Sequence, residues 1–331
     1  MSAKRTIAGR AVDPVGLGCM SLSWAYGVPP SDDEGVALIH RALDLGYDHL
    51  DTANIYGLGH NETLLGRALK GRRERVFLAS KMGITVDGDK RGISCSPGAI
   101  RRCIDESLAR LQTDHIDLYY MHRRDFTVPI EESMGAMAEL VAAGKIGAVG
   151  LSEMSAETLR RAHAVHPVAA MQTEYSPWTR NPEIAVLDAC AELGTTFVAF
   201  SPVARGVLAD AVHDVEALAA RDLRRTMPRF QGANWEINHA LAAAFSALAV
   251  EAGLTAAQLS LGWVLSRGEH VVAIPGTASL GHVEQNFAGW DRDLPADLIA
   301  KVDALVNRHT VAGPRYSAAI QAAIDTEEFA G

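Results

Sequence analysis

The hydrophobic positions of this chain form short apolar runs that alternate with longer amphipathic stretches. Eight runs are rich in valine, isoleucine, leucine and aromatic residues, and most are apolar throughout rather than at every second position. Continuous apolar runs separated by helices are typical of parallel strands that are buried on both faces. The predicted strands lie at 15–20, 47–50, 75–81, 115–121, 146–152, 168–174, 195–201 and 270–276.

The stretches between these runs carry the signals of helix starts. Ser31 and Glu34 have the spacing of a capping box, and Thr255 begins a second motif of the same kind. Ser96 followed by Pro97 predicts a cap and a first-turn proline. The stretch after each of these signals keeps one apolar face, as expected for a helix that packs on a sheet.

Eight strand–helix units in one chain predict an α/β fold of the (β/α)8 TIM-barrel type. The competing layout is a doubly wound sheet, which usually carries G-x-G-x-x-G after its first strand. Gly16 and Gly18 supply the first two glycines, but position 21 is a serine. An isolated G-x-G is weak evidence, so the barrel is the preferred interpretation.

Three further segments extend this barrel. The opening residues 4–12 predict a small N-terminal β-hairpin that turns at Gly9 and closes the barrel bottom. The long connection 202–234 and the tail 292–331, with one more helix and an irregular end, exceed what a barrel needs. Because no linker divides the chain, we expect a single barrel domain over residues 1–331.

Composition and charge narrow the class of protein. The chain has 331 residues, of which 48% are hydrophobic, and its formal net charge is −9. This acidity, without a basic block, argues against nucleic acid or an anionic membrane as a partner. The 4 cysteines form no C-x-x-C pair, and no secretory or membrane-spanning pattern is visible, so a cytoplasmic location is expected. Asn61 matches a glycosylation sequon, which we interpret as a helix start instead.

Chemically active side chains stand at the ends of three successive predicted strands. The second strand ends at Asp51, with Tyr56 in the loop that follows. The third ends at Lys81 and the fourth at His122. In a barrel, the carboxyl ends of the strands surround one mouth, where functional residues gather. The sequence therefore predicts that these four side chains meet.

Together the four residues suit the protonation of a carbonyl oxygen. A tyrosine titrates near pH 10, and a neighbouring ammonium such as that of Lys81 favours the phenolate and lowers its pKa. Asp51 would hold Lys81 in place, and His122 would orient the carbonyl by a hydrogen bond. Each residue alone has an ordinary explanation as packing or a solvated strand end. The run 122–125, "HRRD", also matches a kinase fragment, but the other kinase motifs are missing.

Several longer sequence motifs of this chain also occur in one known protein family. They are "DTANIYG", "NETLLGRAL", "LASKMG", "DLYYMHRRD", "GKIGAVGLSE", "QTEYSP", "FVAFSPVARGVL" and "IPGTASLGHVEQN". On these words the chain resembles the aldo-keto reductases over nearly its full length. The word "PRFQGANWEIN" further resembles a bacterial and plant subgroup that reduces open-chain aldehydes and ketones. The resemblance implies that Asp51, Tyr56, Lys81 and His122 are the catalytic tetrad, with Tyr56 as general acid.

The resemblance also implies a nicotinamide cofactor that binds in extended form without a Rossmann domain and gives its pro-R hydride. Ser152 and Gln172 would hold the carboxamide, and Phe200 would stack on the nicotinamide ring. Glu153 departs from the asparagine common in the family, so an altered contact is expected there. The other implied cofactor contacts are Gly18, Cys19, Met20, Asp51, Ser201, Pro202, Val203, Arg205, Gly206, Leu208, Ile274, Gly276, Thr277, Ala278, Ser279, His282, Gln285 and Asn286.

The choice between NADPH and NADH is less clear from the residues. Many relatives carry lysine or arginine directly after "IPGT" or at the position of His282, facing the 2′-phosphate of NADPH. This chain has Ala278, Ser279 and His282 instead, and histidine offers a charged donor only when protonated. The resemblance favours NADPH, and NADH remains an alternative.

The substrate is predicted to be a small-molecule carbonyl compound that enters an apolar mouth. The residues predicted to line this mouth are Trp24, Tyr56, His122 and Trp178, with Met20 and Trp235 as further candidates. Aromatic walls without an evident carboxylate clamp suit small aldehydes, diketones or aromatic carbonyls better than charged sugars.

Two other functions are compatible with parts of the sequence. Potassium-channel β-subunits share the fold, so a non-catalytic NADPH-binding, redox-sensing regulatory subunit is an alternative. A barrel isomerase or aldolase with Lys81 as a Schiff base would explain the lysine but not the cofactor words. The sequence leaves open whether the protein is a monomer or a homo-oligomer.

Overall fold

The strands form one eight-stranded parallel sheet and two antiparallel hairpins in the computed structural model, which describes residues 3–88, 90–288 and 293–329. In chain order they are β1 (Arg5–Ile7), β2 (Arg10–Val12), β3 (Leu17–Gly18), β4 (His49–Asp51), β5 (Phe77–Met82), β6 (Ile84–Asp87), β7 (Lys90–Ile93), β8 (Ile116–Met121), β9 (Ile146–Ser152), β10 (Val168–Glu174), β11 (Thr196–Phe200) and β12 (Val271–Ile274). The parallel sheet has the order β3-β4-β5-β8-β9-β10-β11-β12, and β1–β2 and β6–β7 are the hairpins.

The first and last strands of the parallel sheet meet and close it into a barrel. Parallel bridges join Val15 to Ala273 and Gly18 to Gly276. The seam requires glycine, because a Cβ on Gly18 would lie 2.8 Å from the Ile274 carbonyl oxygen. The (β/α)8 barrel predicted from the sequence is thereby confirmed, and the doubly wound alternative is excluded.

Helices surround this barrel and join its strands. They are α1 (Asp32–Leu45), α2 (His60–Ala68), α3 (Pro97–Leu111), α4 (Ile130–Ala142), α5 (Ala156–Val165), α6 (Val186–Leu193), α7 (Gly232–Glu251), α8 (Ala256–Leu265), α9 (Leu280–Phe287), α10 (Ala296–Leu305) and α11 (Ala318–Gln321). Ser31 and Thr255 form the predicted capping boxes, and Ser96 caps α3, which begins with Pro97. Among the described helices none is alone long and apolar enough to span a membrane; only α7 and α8 together pass that test, and they are bent by 86°.

Some local predictions needed correction. The N-terminal hairpin turns at Gly9, whose φ is 78°, as predicted. The hairpin β6–β7, however, was not predicted, although it follows the barrel strand β5 after a single residue. The helix start predicted at Asn61 is confirmed to within one residue, because α2 begins at His60. The buried Asn61 amide donates to the Cys19 carbonyl and accepts from Thr52.

The amino-terminal part of the barrel interior is filled by packed side chains. Ile7 and Val12 of the hairpin close this end. The cluster also contains Phe77, Ala79, Leu118, Tyr120, Ala148, Ala170, Val198, Val272 and Ile274. A second, larger apolar layer lies between the strands and the helices. With this end occupied, the polar strand ends face the opposite side, where barrel active sites are found.

Candidate active site

Lys81 lies at the centre of a buried polar cluster at the carboxyl ends of β4 and β5. Its ammonium donates to the Asp51 carboxylate, to the Thr52 carbonyl oxygen at 2.8 Å and to the Tyr56 hydroxyl oxygen at 3.2 Å. Lys81 is fully buried and Asp51 is only 2% exposed. A buried ammonium is stable only when it is paired and hydrogen-bonded, and all three of its donors have partners here.

Tyr56 and His122 face each other beside this cluster. Their rings are arranged edge to face with centroids 5.9 Å apart, and both side chains are almost buried. Because the Tyr56 oxygen accepts from Lys81, its own proton is available to another acceptor. Gly57 turns the chain away with a φ of 57°, and a Cβ there would lie 3.0 Å from Ser23 Cβ.

The environment keeps the phenol of Tyr56 protonated. Burial raises the pKa of Tyr56 above its ordinary value, and the nearby Lys81 ammonium offsets only part of this rise. The predicted effect of Lys81, a lowering of the Tyr56 pKa, is therefore present. The net pKa is nevertheless raised, contrary to the prediction, because desolvation of the phenolate is the larger effect. A protonated phenol is the form that donates a proton.

The pKa values of Lys81 and His122 are shifted in opposite directions. Burial disfavours the charged form of Lys81, but Asp51 and Tyr56 outweigh it and raise the lysine pKa. Burial and the Arg123, Lys81 and Arg91 cations hold the pKa of His122 well below its ordinary value. At neutral pH the site therefore contains an ammonium and a neutral imidazole, which offers a single N–H donor.

Gln172 supports this cluster in a way that the sequence did not reveal. Its amide nitrogen donates to the second carboxylate oxygen of Asp51 at 2.8 Å. The role predicted for Gln172, contact with the nicotinamide carboxamide, remains open to its carbonyl oxygen and to its second amide N–H. Within the described part of the chain, the Ser152 hydroxyl at the end of β9 has one long contact, of 3.4 Å, from Arg123. Phe200 is half-buried at the end of β11.

Glu153, the departure from the family pattern, forms a buried ion pair with the C-terminal tail. Arg315 donates to its carboxylate at 2.5 Å, and the side chains of Glu153 and Arg315 are 0% and 3% exposed. The same carboxylate accepts from the backbone N–H of Glu174 at 3.0 Å. The altered contact expected at this position is therefore a link between the barrel and residues far along the chain.

Arg205 also binds the barrel and the tail. Its guanidinium donates to Glu174 at 2.6 Å, to the Tyr316 hydroxyl at 2.9 Å and to the Tyr26 hydroxyl at 2.8 Å. The resemblance placed Arg205 along a pyrophosphate. Because its guanidinium is buried and bound to Glu174, only its main chain remains suited to that role.

The other predicted cofactor contacts belong to three segments, which are the barrel seam, the turn after β11 and the region of α9. Ser201, Arg205 and Gly206 have positive φ values in the turn after β11, and Ser279 caps α9, accepting from the His282 N–H at 3.4 Å. The His282 side chain is exposed, and Asn286 is buried on the same helix. Gly18, Cys19, Met20, Ile274, Gly276 and Thr277 lie at or next to the barrel seam, Pro202, Val203 and Leu208 lie in the turn after β11, and Ala278 and Gln285 lie just before and on α9.

The predicted aromatic walls differ in accessibility. Trp24 is 37% exposed in the turn after β3, whereas Trp178 is only 4% exposed. Arg229 covers the Trp178 ring at 5.7 Å and donates to its carbonyl oxygen at 2.8 Å. Trp235 stacks on Phe230 with centroids 5.6 Å apart. Trp24 therefore offers the most aromatic surface of the tryptophans proposed for the mouth, and the burial of Trp178 does not support its predicted role.

The side chains that could bind a metal ion do not cluster in the described residues. No group of three or more histidine, cysteine or acidic side chains is arranged to hold a metal ion there. The four cysteines are free and buried, and burial raises the pKa of each thiol.

Comparison with known proteins shows the family to which the chain belongs. The family model described as "Aldo/keto reductase family" matches residues 14–307. Three of the solved structures that resemble this chain are described below. The glycerol dehydrogenase AKR11B4 from Gluconobacter oxydans is 30% identical with a TM-score of 0.84, over 95% of this chain and 99% of that one. The aldo-keto reductase AKR11C1 from Bacillus halodurans is 27% identical with a TM-score of 0.75, over 93% and 97%.

The third structure includes a cofactor. An aldo-keto reductase from Klebsiella pneumoniae, in complex with NADPH, is 28% identical with a TM-score of 0.72, over 92% of this chain and 95% of that one. The family model spans most of the barrel described above, and the similar structures cover nearly all of it. The chain belongs to the aldo/keto reductase family.

Proposed function

We propose that this chain is a single-domain, NADPH-dependent reductase that converts aldehydes or ketones to alcohols. The observation that carries the proposal is the contact of 3.2 Å between the Lys81 ammonium and the Tyr56 hydroxyl oxygen. This contact directs the phenolic proton away from the lysine. It also places a positive charge where the phenolate forms once that proton has been given up.

Each residue of the cluster has a distinct task in the proposed reaction. Tyr56 donates its proton to the carbonyl oxygen as negative charge develops there. His122, neutral because of its lowered pKa, donates one hydrogen bond to the same oxygen and orients it. Asp51 keeps Lys81 charged and in position, and Gln172 fixes the second oxygen of Asp51.

The residues of the mouth fit a nicotinamide cofactor. A bound reduced nicotinamide supplies the hydride, taken from the pro-R position of C4. The Ser152 hydroxyl and the carbonyl oxygen of Gln172 have capacity for its carboxamide. The N-terminus of α9 favours an anionic group such as a phosphate. A family member from Klebsiella pneumoniae binds NADPH, and NADH stays the alternative because Ala278, Ser279 and His282 provide no permanent cation.

A deuterium-transfer experiment tests this proposal. The protein is supplied with NADPH deuterated at the 4-pro-R position and a panel of small aldehydes and ketones, and the alcohol products are analysed by mass spectrometry. Deuterium on the carbinol carbon is the expected result. Products without deuterium would contradict the predicted stereochemistry, and tight NADPH binding without turnover on the whole panel would favour a regulatory, non-catalytic role.

A further inference from the structure

Two arginines beside the candidate active site have no acidic partner in the part of the chain that the structure describes. Other arginines of the mouth, such as Arg205 and Arg315, are bound to buried carboxylates. Arg91 and Arg123 form no ion pair with any residue in the described ranges. In a chain with a net charge of −9, two unpaired guanidinium groups at a site opening call for an explanation.

Arg91 belongs to the hairpin β6–β7, which lies against the site. It pairs with Val86, and Ile84 pairs with Ile93, so these four side chains share one face of the hairpin. Ile84 is only 2% exposed, which identifies this face as the one that packs on the barrel. Arg91 therefore lies on the inner face but near the solvent-accessible tip, and it remains partly exposed.

The base of the hairpin fixes its position relative to His122. Gly83 connects β5 to β6, and a Cβ built on it would lie 3.9 Å from the His122 backbone nitrogen. The Ser94 N–H closes the hairpin by donating to the Gly83 carbonyl at 2.8 Å. The hairpin that carries Arg91 thus begins and ends next to the residue that faces Tyr56.

Arg123 approaches from the other side, directly after His122 in the chain. One of its terminal nitrogens donates to the His122 carbonyl oxygen at 2.5 Å and makes a contact of 3.4 Å with Ser152 Oγ. A guanidinium has five N–H donors. The remaining donors of Arg123 have no partner among the described residues, and its side chain is half-buried.

The two cations act on each other and on the reacting residues. Partial burial and the Arg123 cation lower the pKa of Arg91, while the phenolate forms of Tyr316 and Tyr56 would raise it. Arg123 favours the phenolate of Tyr56, and both arginines disfavour the charged form of His122. Their positive field therefore covers the opening in which a substrate would lie.

We propose that Arg91 and Arg123 form an anion-recognition pair, so that the preferred substrates are aldehydes or ketones carrying a carboxylate or a phosphate ester. This inference rests on the proposed reductase function and deepens it. It also revises the interpretation from sequence, which found no clamp for an anion because Arg91 lies on an unpredicted hairpin. Guanidinium groups bind both anions through forked, charge-assisted hydrogen bonds.

Matched substrate pairs test the inference. One pair is 4-carboxybenzaldehyde and methyl 4-formylbenzoate, and the other is glyceraldehyde 3-phosphate and glyceraldehyde. The specificity constant kcat/KM is expected to be roughly 10- to 100-fold higher for the anionic member of at least one pair, as for other hydrogen bonds to charged groups. The preferred pair identifies the anion. Added salt is expected to reduce this preference, because neither arginine is fully buried.

A pair of matched variants tests whether Arg91 on the hairpin causes the preference for anionic substrates. Arg91→Gln is expected to reduce the anionic-to-neutral ratio of kcat/KM at least tenfold. Lys90→Gln removes the same charge from the adjacent residue, which lies on the opposite face of β7 and pairs with Asp87; it is expected to leave the ratio unchanged.

The outcomes separate this inference from the proposed function. Turnover of both members of each pair at similar kcat/KM would overturn the anion preference and leave the reductase intact. An equal loss of preference in Arg91→Gln and Lys90→Gln would also overturn the assignment, because only overall charge would then matter. Absence of NADPH oxidation with every substrate would remove the reductase proposal and this inference with it.

Discussion

Replacing Lys81 by methionine removes the ammonium that contacts Tyr56 and keeps an unbranched side chain in the buried position. Two consequences follow from the geometry. The Tyr56 oxygen loses its only described cationic hydrogen-bond donor, at 3.2 Å. The Asp51 carboxylate, 2% exposed, keeps the Gln172 amide at 2.8 Å but loses its charged partner.

The loss of the Lys81 donor lowers kcat because negative charge develops on the Tyr56 oxygen in the transition state. Removing one preorganised donor from a developing anion typically lowers kcat by about 10²- to 10³-fold. Reduction requires the protonated phenol, so kcat falls as the pH rises through the pKa of Tyr56, which burial has already raised. Without the Lys81 cation this pKa rises further, and the alkaline fall in kcat moves to still higher pH.

The second consequence is a loss of stability. Breaking a buried ion pair on one side typically costs about 3–5 kcal/mol, because an uncompensated charge remains. The double variant Asp51→Asn with Lys81→Met removes both charges, so it is expected to recover much of the free energy of unfolding but none of the activity. This separates the role of Lys81 in catalysis from its role in folding.

The assays are kcat for NADPH oxidation as a function of pH and urea unfolding of wild type, single and double variants. The variants are compared only under conditions where each is folded. A Lys81→Met protein with kcat within twofold of wild type would refute the proposed role of the ammonium. An alkaline fall that moves to lower pH would refute the electrostatic reasoning.

Three further outcomes are expected. Arg315→Ala leaves the Glu153 carboxylate buried without its partner, so urea unfolding should show a loss of about 3–5 kcal/mol; a loss below 1 kcal/mol would indicate that the pair is not formed. Gly66→Ala would place a Cβ 2.6 Å from the Arg110 carbonyl oxygen, and the same assay should show a loss of about 1–3 kcal/mol; an unchanged midpoint would contradict the close approach. His282→Ala should raise the Kd for NADPH more than that for NADH, and an unchanged Kd for NADPH would remove His282 from phosphate recognition.

The sequence was sufficient to predict the barrel and the meeting of the four polar residues. Both predictions depend on local signals combined with one topological rule. Apolar runs identified the strands, and the rule that strand ends share a mouth brought Asp51, Lys81 and His122 together. Tyr56 followed because only a few residues separate it from Asp51.

The support around these residues was not predictable in the same way. Gln172 contacts Asp51 across 121 positions, and Arg315 contacts Glu153 across 162. Such contacts produce no periodic pattern in the sequence, because each depends on the relative position of two distant segments in the folded chain. Arg315 lies in an irregular tail, where neither partner nor direction can be deduced from neighbouring residues.

The net effect on the Tyr56 pKa also required the structure. Sequence reasoning supplied the sign of the lysine effect but not the depth of burial, and desolvation proved the larger of the two. Similarly, Arg123 was visible in "HRRD", but its significance depended on Arg91, which an unpredicted hairpin brings to the same opening. The sequence indicated which charges could act on the site, but the relative size of burial and charge effects depended on tertiary contacts.

The central claim is that Tyr56 supplies the proton to the carbonyl oxygen, and Tyr56→Phe tests it most directly because it removes only the hydroxyl. The measurement pairs kcat/KM for aldehyde reduction with the Kd for NADPH. The expected result is a fall in kcat/KM of about 10²- to 10⁴-fold, as for the loss of a general acid, with the Kd for NADPH within twofold of wild type. Full reductase activity in Tyr56→Phe would contradict the role of Tyr56 as the proton donor.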